Sequence, residues 1–301
     1  METKILITGA GGFIARKLVK YFNSIGIQSH LLSRTKQQNI PGVYYWNPTN
    51  QEIDINCLDG VSTIIHLAGA GIADHRWTTA YKATILESRI RSTQLLLNTL
   101  KNTNHQVKHF ISTSAIGYYE SSFTLNQTEE NHPGNSFLAR VCQEWEQQAN
   151  AFNSIGIKVS IIRVGLVLSR EAGMLKSIEL PAKFGFAAPF GNGKQMQSWI
   201  HFDDLIGIYG HVFQNRLSGV FNAVAPYPVS NNQMLQSVSQ ILHKPYWLPG
   251  IPKWFMKLLL GDIVDLLYAN QHVSCEKILQ SGYVFKHQQL KGALEDLYTL
   301  S

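Results

Sequence analysis

The stretch that decides the fold is Lys4-Ile5-Leu6-Ile7-Thr8-Gly9-Ala10-Gly11-Gly12-Phe13-Ile14-Ala15. It opens with a short apolar run, passes through a glycine-rich turn and enters a segment with helical spacing of apolar residues. Gly9 allows a sharp turn, and Gly11 and Gly12 put no Cβ between the backbone and a ligand. This order suits a dinucleotide, whose pyrophosphate meets the N–H groups and dipole of the helix N-terminus. We expect Gly9, Gly11, Gly12, Phe13 and Ile14 to hold a pyrophosphate; a glycine turn without a ligand is the alternative.

The composition is that of a folded globular protein. The chain has 301 residues, 45% of them hydrophobic and 15% charged, so it can bury a sizeable core and lacks the signature of disorder. The formal net charge is +6, but the basic residues are scattered and form no stripe. We therefore expect no nucleic-acid partner, whereas an anionic small-molecule ligand suits this charge balance.

Other patterns bear on location and partners. The cysteines, Cys57, Cys142 and Cys275, are an odd number without metal or redox spacing, which favours reduced thiols. The first residues do not read as a signal peptide, and the apolar stretch 254–268 is interrupted by charges. We expect a cytoplasmic monomer or homodimer that acts on a small molecule and has no membrane partner. Residues 252–268 have helical apolar spacing, and we expect them to pack against the sheet domain; a membrane-surface or partner helix is the alternative.

Strand and helix signals alternate through the first two thirds of the chain. The predicted strands are 5–8, 28–32, 43–46, 63–67, 109–113 and 159–163, and the predicted helices are 13–24, 78–101 and 135–154. Repeated β-α units predict an α/β fold, a doubly wound parallel sheet of the Rossmann type with helices on both faces. Prolines and loops become frequent after residue 172. We therefore divide the chain into a dinucleotide-binding domain, 1–172, and a substrate-side lobe, 173–301, with parts of 195–225 completing the sheet.

The end of the second strand indicates which dinucleotide is bound. Folds that prefer the cofactor without a 2′-phosphate place an acid here, which holds the ribose hydroxyls. This chain has Ser33 and Arg34 instead, and residues 28–51 contain no acid. Because an arginine can clamp a phosphate with a forked, charge-assisted contact, we expect Ser33 and Arg34 to bind the 2′-phosphate of NADP(H). A solvated arginine after a strand is the alternative.

The ends of three further strands carry the other candidate site residues. Leu67 ends the fourth strand and Ala68 and Gly69 follow it, where small residues let a ligand approach the backbone. We count all three with the cofactor site and expect Ala68 and Gly69 to border the nicotinamide-side ribose. The fifth strand ends in Ser112, Thr113 and Ser114, and the sixth in Arg163. We count Ser112, Thr113 and Arg163 with the cofactor site and Ser114 as a catalytic candidate that touches the reacting oxygen. A hydroxyl-rich turn is the alternative for the fifth strand.

These strand ends and the glycine turn resemble the extended short-chain dehydrogenase/reductase superfamily. More closely, the chain resembles the superfamily's subgroup of epimerase family proteins of unknown substrate. The motifs that carry this resemblance are Trp46-Asn47-Pro48, Ile72-Ala73-Asp74-His75-Arg76-Trp77, Ser88-Arg89, Phe137-Leu138-Ala139-Arg140-Val141-Cys142, Trp145-Glu146 and Trp199-Ile200-His201. The resemblance implies an NAD(P)-dependent epimerase or oxidoreductase with a small, mostly helical C-terminal domain at about residues 248–297.

One departure from the superfamily concerns catalysis. The superfamily's catalytic Tyr and Lys lie four residues apart on the helix after the fifth strand, where the Lys lowers the pKa of the Tyr. The matching helix, 135–154, contains neither residue type, and Phe137 and Val141 stand nearest the pattern. Of the superfamily's active-site residues only Ser114 carries over, and we name Tyr118 as the second catalytic candidate.

Two functions are therefore open. The first is an NADP-dependent oxidoreductase or epimerase-like enzyme that transfers hydride between nicotinamide and a small-molecule carbonyl or carbinol. Its unusual proton donor is Tyr118, Glu144 or His201. The second is an NADP(H)-binding sensor or partner-binding protein without turnover.

The residues His201-Phe202-Asp203-Asp204 combine a histidine with two carboxylates, a combination that can bind a metal. No second cluster of histidines and carboxylates is evident in the sequence, so we expect no metal. We expect instead a helix N-terminus that Asp203 or Asp204 caps.

Overall fold

The computed structural model describes residues 4–36 and 40–299. The strands, numbered along the chain, are β1 (Lys4–Ile7), β2 (Ser29–Ser33), β3 (Val43–Asn47), β4 (Glu52–Ile53), β5 (Val61–His66), β6 (His109–Ala115), β7 (Lys158–Val164), β8 (Leu166–Leu168), β9 (Met196–Gln197), β10 (Trp199–His201), β11 (Gly219–Ala223) and β12 (Val229–Ser230). Eight of them form one sheet in the order β11-β7-β6-β5-β1-β2-β3-β4. All its pairs are parallel except β3 with β4, which is antiparallel.

Helices cover both faces of this sheet. The α-helices are α1 (Phe13–Ser24), α2 (Thr79–Asn102), α3 (Phe137–Asn150), α4 (Met174–Lys183), α5 (Phe202–Gln214), α6 (Asn231–Ile241), α7 (Lys253–Leu260), α8 (Val264–Tyr268), α9 (Glu276–Gln280) and α10 (Leu290–Thr299). On one face α1 and α5 pack with Ile5 and Ile7 of β1, and on the other α2 and α3 pack with Leu6. The alternation of Ile5, Leu6 and Ile7 between two cores explains why β1 is apolar throughout. The predicted doubly wound parallel sheet is confirmed.

The order of the strands places a crevice beside β1. From β1 the chain moves outward to β2 and β3, and it later returns to β5 on the other side of β1. The connections after β1 and β5 therefore leave in opposite directions, and a crevice opens between them at the carboxyl ends of the strands. Ligands of open α/β sheets bind at such a switch point.

The second half of the chain is interleaved with the first. In the described residues β11 completes the sheet beside β7, and β10 pairs with β8. Val273, Ile278 and Phe285 join the sheet core beneath α5, so the C-terminal part shares that core. A separate core lies between α4, α6 and α10.

The segment 252–268 packs against the sheet domain through its C-terminal part only. Ile263 joins the cluster of Trp77, Val264 is fully buried, and Asp262 pairs with Lys82 of α2 at 2.6 Å, so the expected packing is found there. No residue of α7 is buried, and Trp254 and Leu258 are 71% and 73% exposed. Helical spacing predicts an apolar face and leaves open what covers it. No helix of the described residues is long and apolar enough to cross a membrane.

Candidate cofactor site

A cavity of about 700 Å³ occupies the crevice between the ends of β1 and β5. Eight residues expected at the cofactor line it: Gly9, Gly11, Gly12, Ser33, Arg34, Leu67, Ala68 and Gly69. A smaller opening of about 270 Å³ adjoins Gly9 and Gly12 and is lined by Phe13 and Ile14. The structure therefore brings the glycine turn and the ends of β2 and β5 around one space, whose volume is typical of cofactor sites.

The glycine turn leaves the start of α1 open to a ligand. Gly9 has a φ of +74°, and a Cβ there would lie 3.4 Å from the carbonyl of Leu67, so the turn passes close to the end of β5. Gly12 donates its N–H to the Gly9 carbonyl at 2.8 Å and is the N-cap of α1. No side chain caps this helix, and its first turn contains no acid. The free N–H groups and the dipole at this terminus fit a pyrophosphate.

Thr8 joins the two loops that line the cavity. Its hydroxyl accepts the N–H groups of Leu67 (2.9 Å) and Ala68 (3.0 Å) and lies 2.9 Å from Nδ1 of His66. Because this oxygen already accepts two hydrogen bonds, its proton points to His66, whose own ring proton then lies on Nε2, towards Thr93 at 3.1 Å. Burial and the charge of Arg89 lower the pKa of His66 to about 3, so the ring stays neutral.

The end of β2 supplies positive charge to the cavity. Ser33, Arg34 and Thr35 line it together, and the Ser33 hydroxyl accepts the N–H of Thr35 at 3.2 Å. Arg91 on α2 also lines the cavity and is paired with Glu87 at 2.7 Å. Sequence reasoning missed Arg91, because only the fold brings α2 to the end of β2. The arrangement fits a phosphate on the ribose.

Ser114 lies outside the lining of both openings and belongs to a buried polar network. Its hydroxyl donates to Glu146 Oε1 at 2.6 Å, and Glu146 receives two further bonds of 2.8 Å from Nε and Nη2 of Arg163. The side chains of Arg163 and Glu146 are only 3% and 9% exposed. Burial alone would lower the pKa of Arg163, but the hydrogen bonds and charge of Glu146 outweigh it and raise that pKa. The single proton of Ser114 is used by Glu146, so the hydroxyl is left as an acceptor.

The other expected residues near Ser114 have protein partners too. Arg163 donates from Nη1 to Tyr119, and its guanidinium lies 3.4 Å from the ring centre of Tyr118. Thr113 contacts the Tyr209 hydroxyl at 2.5 Å, and Ser112 donates to a backbone carbonyl. The structure thus does not bring Ser112, Thr113, Tyr118 or Arg163 to the cavity lining.

The face of α3 that meets Ser114 is not the one expected from residue spacing. Phe137 and Val141 pack with Trp77 in a separate cluster. Glu146 bonds to Ser114, and Cys142 Sγ lies 3.6 Å from the Ala115 carbonyl. Burial raises the pKa of Cys142 to about 11, so this thiol is neutral near pH 7. A carboxylate and a thiol therefore face the end of β6, where the superfamily's helix carries a tyrosine and a lysine.

The structure corrects the expected cap of α5 and enlarges the group around His201. His201 is the N-cap of α5 and accepts the Asp203 N–H at 3.2 Å, whereas Asp204 accepts the N–H groups of Lys286 and His287. A group of two histidines and two carboxylates does form, because the fold brings His287 and Asp296 to His201 and Asp203. The Nδ1 of His201 is already an acceptor, so its ring proton lies on Nε2, 3.4 Å from Asp296. This tautomer favours a contact between the imidazole and the carboxylate over a metal site.

A family model for the NAD dependent epimerase/dehydratase family matches residues 5–223. The chain belongs to this family. A second model, a domain of unknown function (DUF1731), matches residues 251–297. The resemblance to the epimerase family subgroup, drawn above from short motifs, is therefore confirmed. The fold is an NAD(P)-binding fold of the extended short-chain dehydrogenase/reductase type.

Relatives match over nearly the whole chain. An epimerase family protein of Staphylococcus saprophyticus is 35% identical over 302 residues, which cover 97% of this chain and 98% of the relative. Human epimerase family protein SDR39U1 (isoform 2), solved with NADPH, is 26% identical with a TM-score of 0.87 and covers 98% of this chain and 99% of its own. A nucleoside-diphosphate sugar epimerase of Corynebacterium glutamicum is 28% identical with a TM-score of 0.79, over 97% of this chain and 57% of its own.

Proposed function

We propose that this member of the family binds NADP(H) in the 700 Å³ cavity and uses it on the carbonyl or carbinol carbon of a small molecule. The observation that carries the proposal is the pairing of an uncapped glycine turn with Ser33 and Arg34 in one cavity. The human relative solved with NADPH supports the phosphorylated cofactor. When bound, the nicotinamide supplies a hydride donor or acceptor.

Each part of the cavity has a role in this proposal. Gly9, Gly11 and Gly12, with the N–H groups of Phe13 and Ile14, bind the diphosphate, and Ser33 and Arg34 bind the 2′-phosphate. Ala68 and Gly69 border the nicotinamide-side ribose, and the Thr8 hydroxyl fixes this strand end by accepting the N–H groups of Leu67 and Ala68. Ser114 lies outside both openings, at the end of β6; a ligand hydroxyl that reaches it donates a hydrogen bond to it, since Glu146 takes the proton of Ser114 itself.

The same hydrogen bond favours a second candidate function. A serine that assists carbonyl reduction donates to the carbonyl oxygen, and the proton of Ser114 is held by Glu146 at 2.6 Å. No tyrosine or lysine lies on α3 to replace it. A protein that binds NADP(H) without turnover, as a sensor or a partner-binding protein, is consistent with this arrangement.

A turnover screen separates the two functions. Purified protein is incubated with NADPH and a panel of carbonyl compounds, and with NADP⁺ and a panel of alcohols and nucleotide sugars, while absorbance at the nicotinamide band is followed. The enzyme predicts turnover that Ser114→Ala lowers by at least tenfold, with the exposed Ser154→Ala as control. Tight NADPH binding without turnover on any compound supports the sensor and contradicts the enzyme.

The remaining expectations belong to the same proposal. The partner is a small molecule, the protein is a cytoplasmic monomer or homodimer, and neither nucleic acid nor a membrane takes part. Scattered basic residues support the absence of a nucleic-acid surface.

A further inference from the structure

Arg89 on α2 carries a buried positive charge to which the described residues offer no carboxylate. The residue is 8% exposed, and its Nη1 donates to the carbonyls of Ile85 (2.8 Å) and Ala70 (3.1 Å). Among residues 4–36 and 40–299, none accepts a hydrogen bond from its Nε or Nη2. The ionisable groups that act on its charge are the Cys142 thiol and the Tyr81 phenol, both with pKa values above the usual range and so neutral near pH 7.

The environment of Arg89 does not otherwise compensate the charge. The guanidinium carbon lies 4.8 Å from the centre of the Trp145 ring, a favourable but weak contact. Burial lowers the pKa of Arg89, and Arg89 in turn lowers the pKa of His66. Burial of a charge without a counter-charge is strongly unfavourable, so the position of Arg89 calls for a reason.

That reason is the position of the guanidinium directly behind the cavity wall. A Cβ on Gly69 would lie 2.9 Å from Cζ of Arg89 and 3.1 Å from Nη1, so glycine alone lets the charge come this close. Gly69 lines the cofactor cavity together with Ser88 and Ser92, the neighbours of Arg89 on α2. The charge of Arg89 also acts on the thiol of Cys142, which lies 3.6 Å from the Ala115 carbonyl at the end of β6.

We propose that Arg89 is the counter-charge for an anionic oxygen group, a carboxylate or a phosphate, that binds against Gly69 at the floor of the cavity. The proposal rests on the proposed function, because it assigns the class of group that binds beside the nicotinamide-side ribose. The anion belongs either to the second ligand or to the cofactor's diphosphate, and the same charge-assisted contact serves both.

Binding of small anions tests the first source. Inorganic phosphate and malonate are titrated calorimetrically into NADPH-saturated wild type, Arg89→Met and the control Arg140→Met, whose exposed arginine on α3 lines neither opening. The same titrations are repeated without NADPH. We expect Arg89→Met to weaken anion binding roughly 10- to 100-fold, the range of a charge-assisted hydrogen bond, and Arg140→Met to leave it within twofold.

Binding of NADPH tests the second source. If the cofactor's diphosphate is the anion, Arg89→Met lowers the affinity for NADPH by a similar factor. If the second ligand carries the anionic group, the affinity for NADPH stays within threefold. A variant that changes neither the anion nor the NADPH affinity overturns the proposal. If wild type binds phosphate or malonate through Arg89 but does not bind NADPH, the proposed function fails and the assignment of Arg89 stands.

The stability of the ligand-free variant distinguishes an anion site from a structural arginine. Because an unpaired buried charge is removed, we expect the urea midpoint of ligand-free Arg89→Met to rise above that of wild type. A lower midpoint with unchanged affinities would show that Arg89 acts only through its carbonyl contacts. Gly69→Ala, which displaces the guanidinium, must lower the same anion affinity, and it decides the question if Arg89→Met does not fold.

Discussion

The ion pair of Glu146 and Arg163 is the part of the structure whose energetic weight is most directly testable. It is buried, and three short hydrogen bonds converge on the carboxylate, from Ser114 (2.6 Å) and twice from Arg163 (2.8 Å). At an effective dielectric constant of about 20, two unit charges 4 Å apart attract by about 4 kcal/mol. Removing one partner of a buried pair leaves the other uncompensated and typically costs about 3–5 kcal/mol. Since a domain's free energy of unfolding is about 5–15 kcal/mol, Glu146→Gln should remove a large part of it.

Urea denaturation of Glu146→Gln, Arg163→Met and the double variant measures this coupling. Each single variant should lose about 3–5 kcal/mol, and the double variant should lose at least about 2 kcal/mol less than their sum, because no unpaired charge then remains. Glu295→Gln is the matched control, since its pair with Lys291 is exposed and should be worth at most about 1 kcal/mol. Losses below about 1 kcal/mol in the single variants, or strict additivity, would refute the assignment of the pair as a buried, coupled unit.

Three further predictions concern the cofactor and the buried histidines. Arg34→Ala should lower the affinity for NADPH about 10- to 100-fold and leave the affinity for NADH within threefold, as measured by fluorescence titration. Equal losses of affinity for both nucleotides would refute the assignment of Arg34 to the 2′-phosphate. In Gly12→Ala the new Cβ would lie 3.1 Å from the Gly9 carbonyl, at the helix terminus that binds the diphosphate. The affinity for both nucleotides should fall at least about tenfold, and unchanged calorimetric affinities would contradict the placing of the diphosphate. Burial lowers the pKa of His66 to about 3 and those of His109 and His201 to about 4, below the usual 6.5. Between pH 6.5 and 4 the unfolded chain therefore binds protons that the folded chain does not. The free energy of unfolding should decrease as the pH is lowered, by up to about 1.4 kcal/mol per pH unit for each ring. A urea midpoint that is constant from pH 7 to 5 would contradict this.

The parts of the fold that follow from local pattern could be predicted from the sequence. The run Lys4–Ile7, the glycines after it and the apolar spacing of α1 lie within a few residues of one another. The apolar run, the glycines and the helical spacing are each local signals, so the sequence predicts strand, turn and helix to within one or two residues. The cofactor cavity follows from them, because the carboxyl ends of parallel strands meet at one edge of the sheet.

The parts that depend on distant residues could not be predicted. Ser114 is bonded to Glu146, 32 positions away, and no local pattern reports that its proton is already used. The group around His201 forms only because α10 brings Asp296 beside it. The helix α7 has the spacing of a packed helix, yet none of its residues is buried by the described part of the chain. Spacing predicts which face of an element is apolar, but the contacts of that face depend on the tertiary arrangement.

The central claim is that the cavity beside β1 is built for a nicotinamide dinucleotide that carries a 2′-phosphate. The most direct test is calorimetric titration of the purified wild-type protein with NADPH and with NADH under identical ionic strength. The structure predicts that NADPH binds with one site per chain and at least about tenfold more tightly than NADH, because Ser33 and Arg34 meet the phosphate and no acid competes for the ribose. NADH binding as tight as NADPH, or no binding of either, would contradict it.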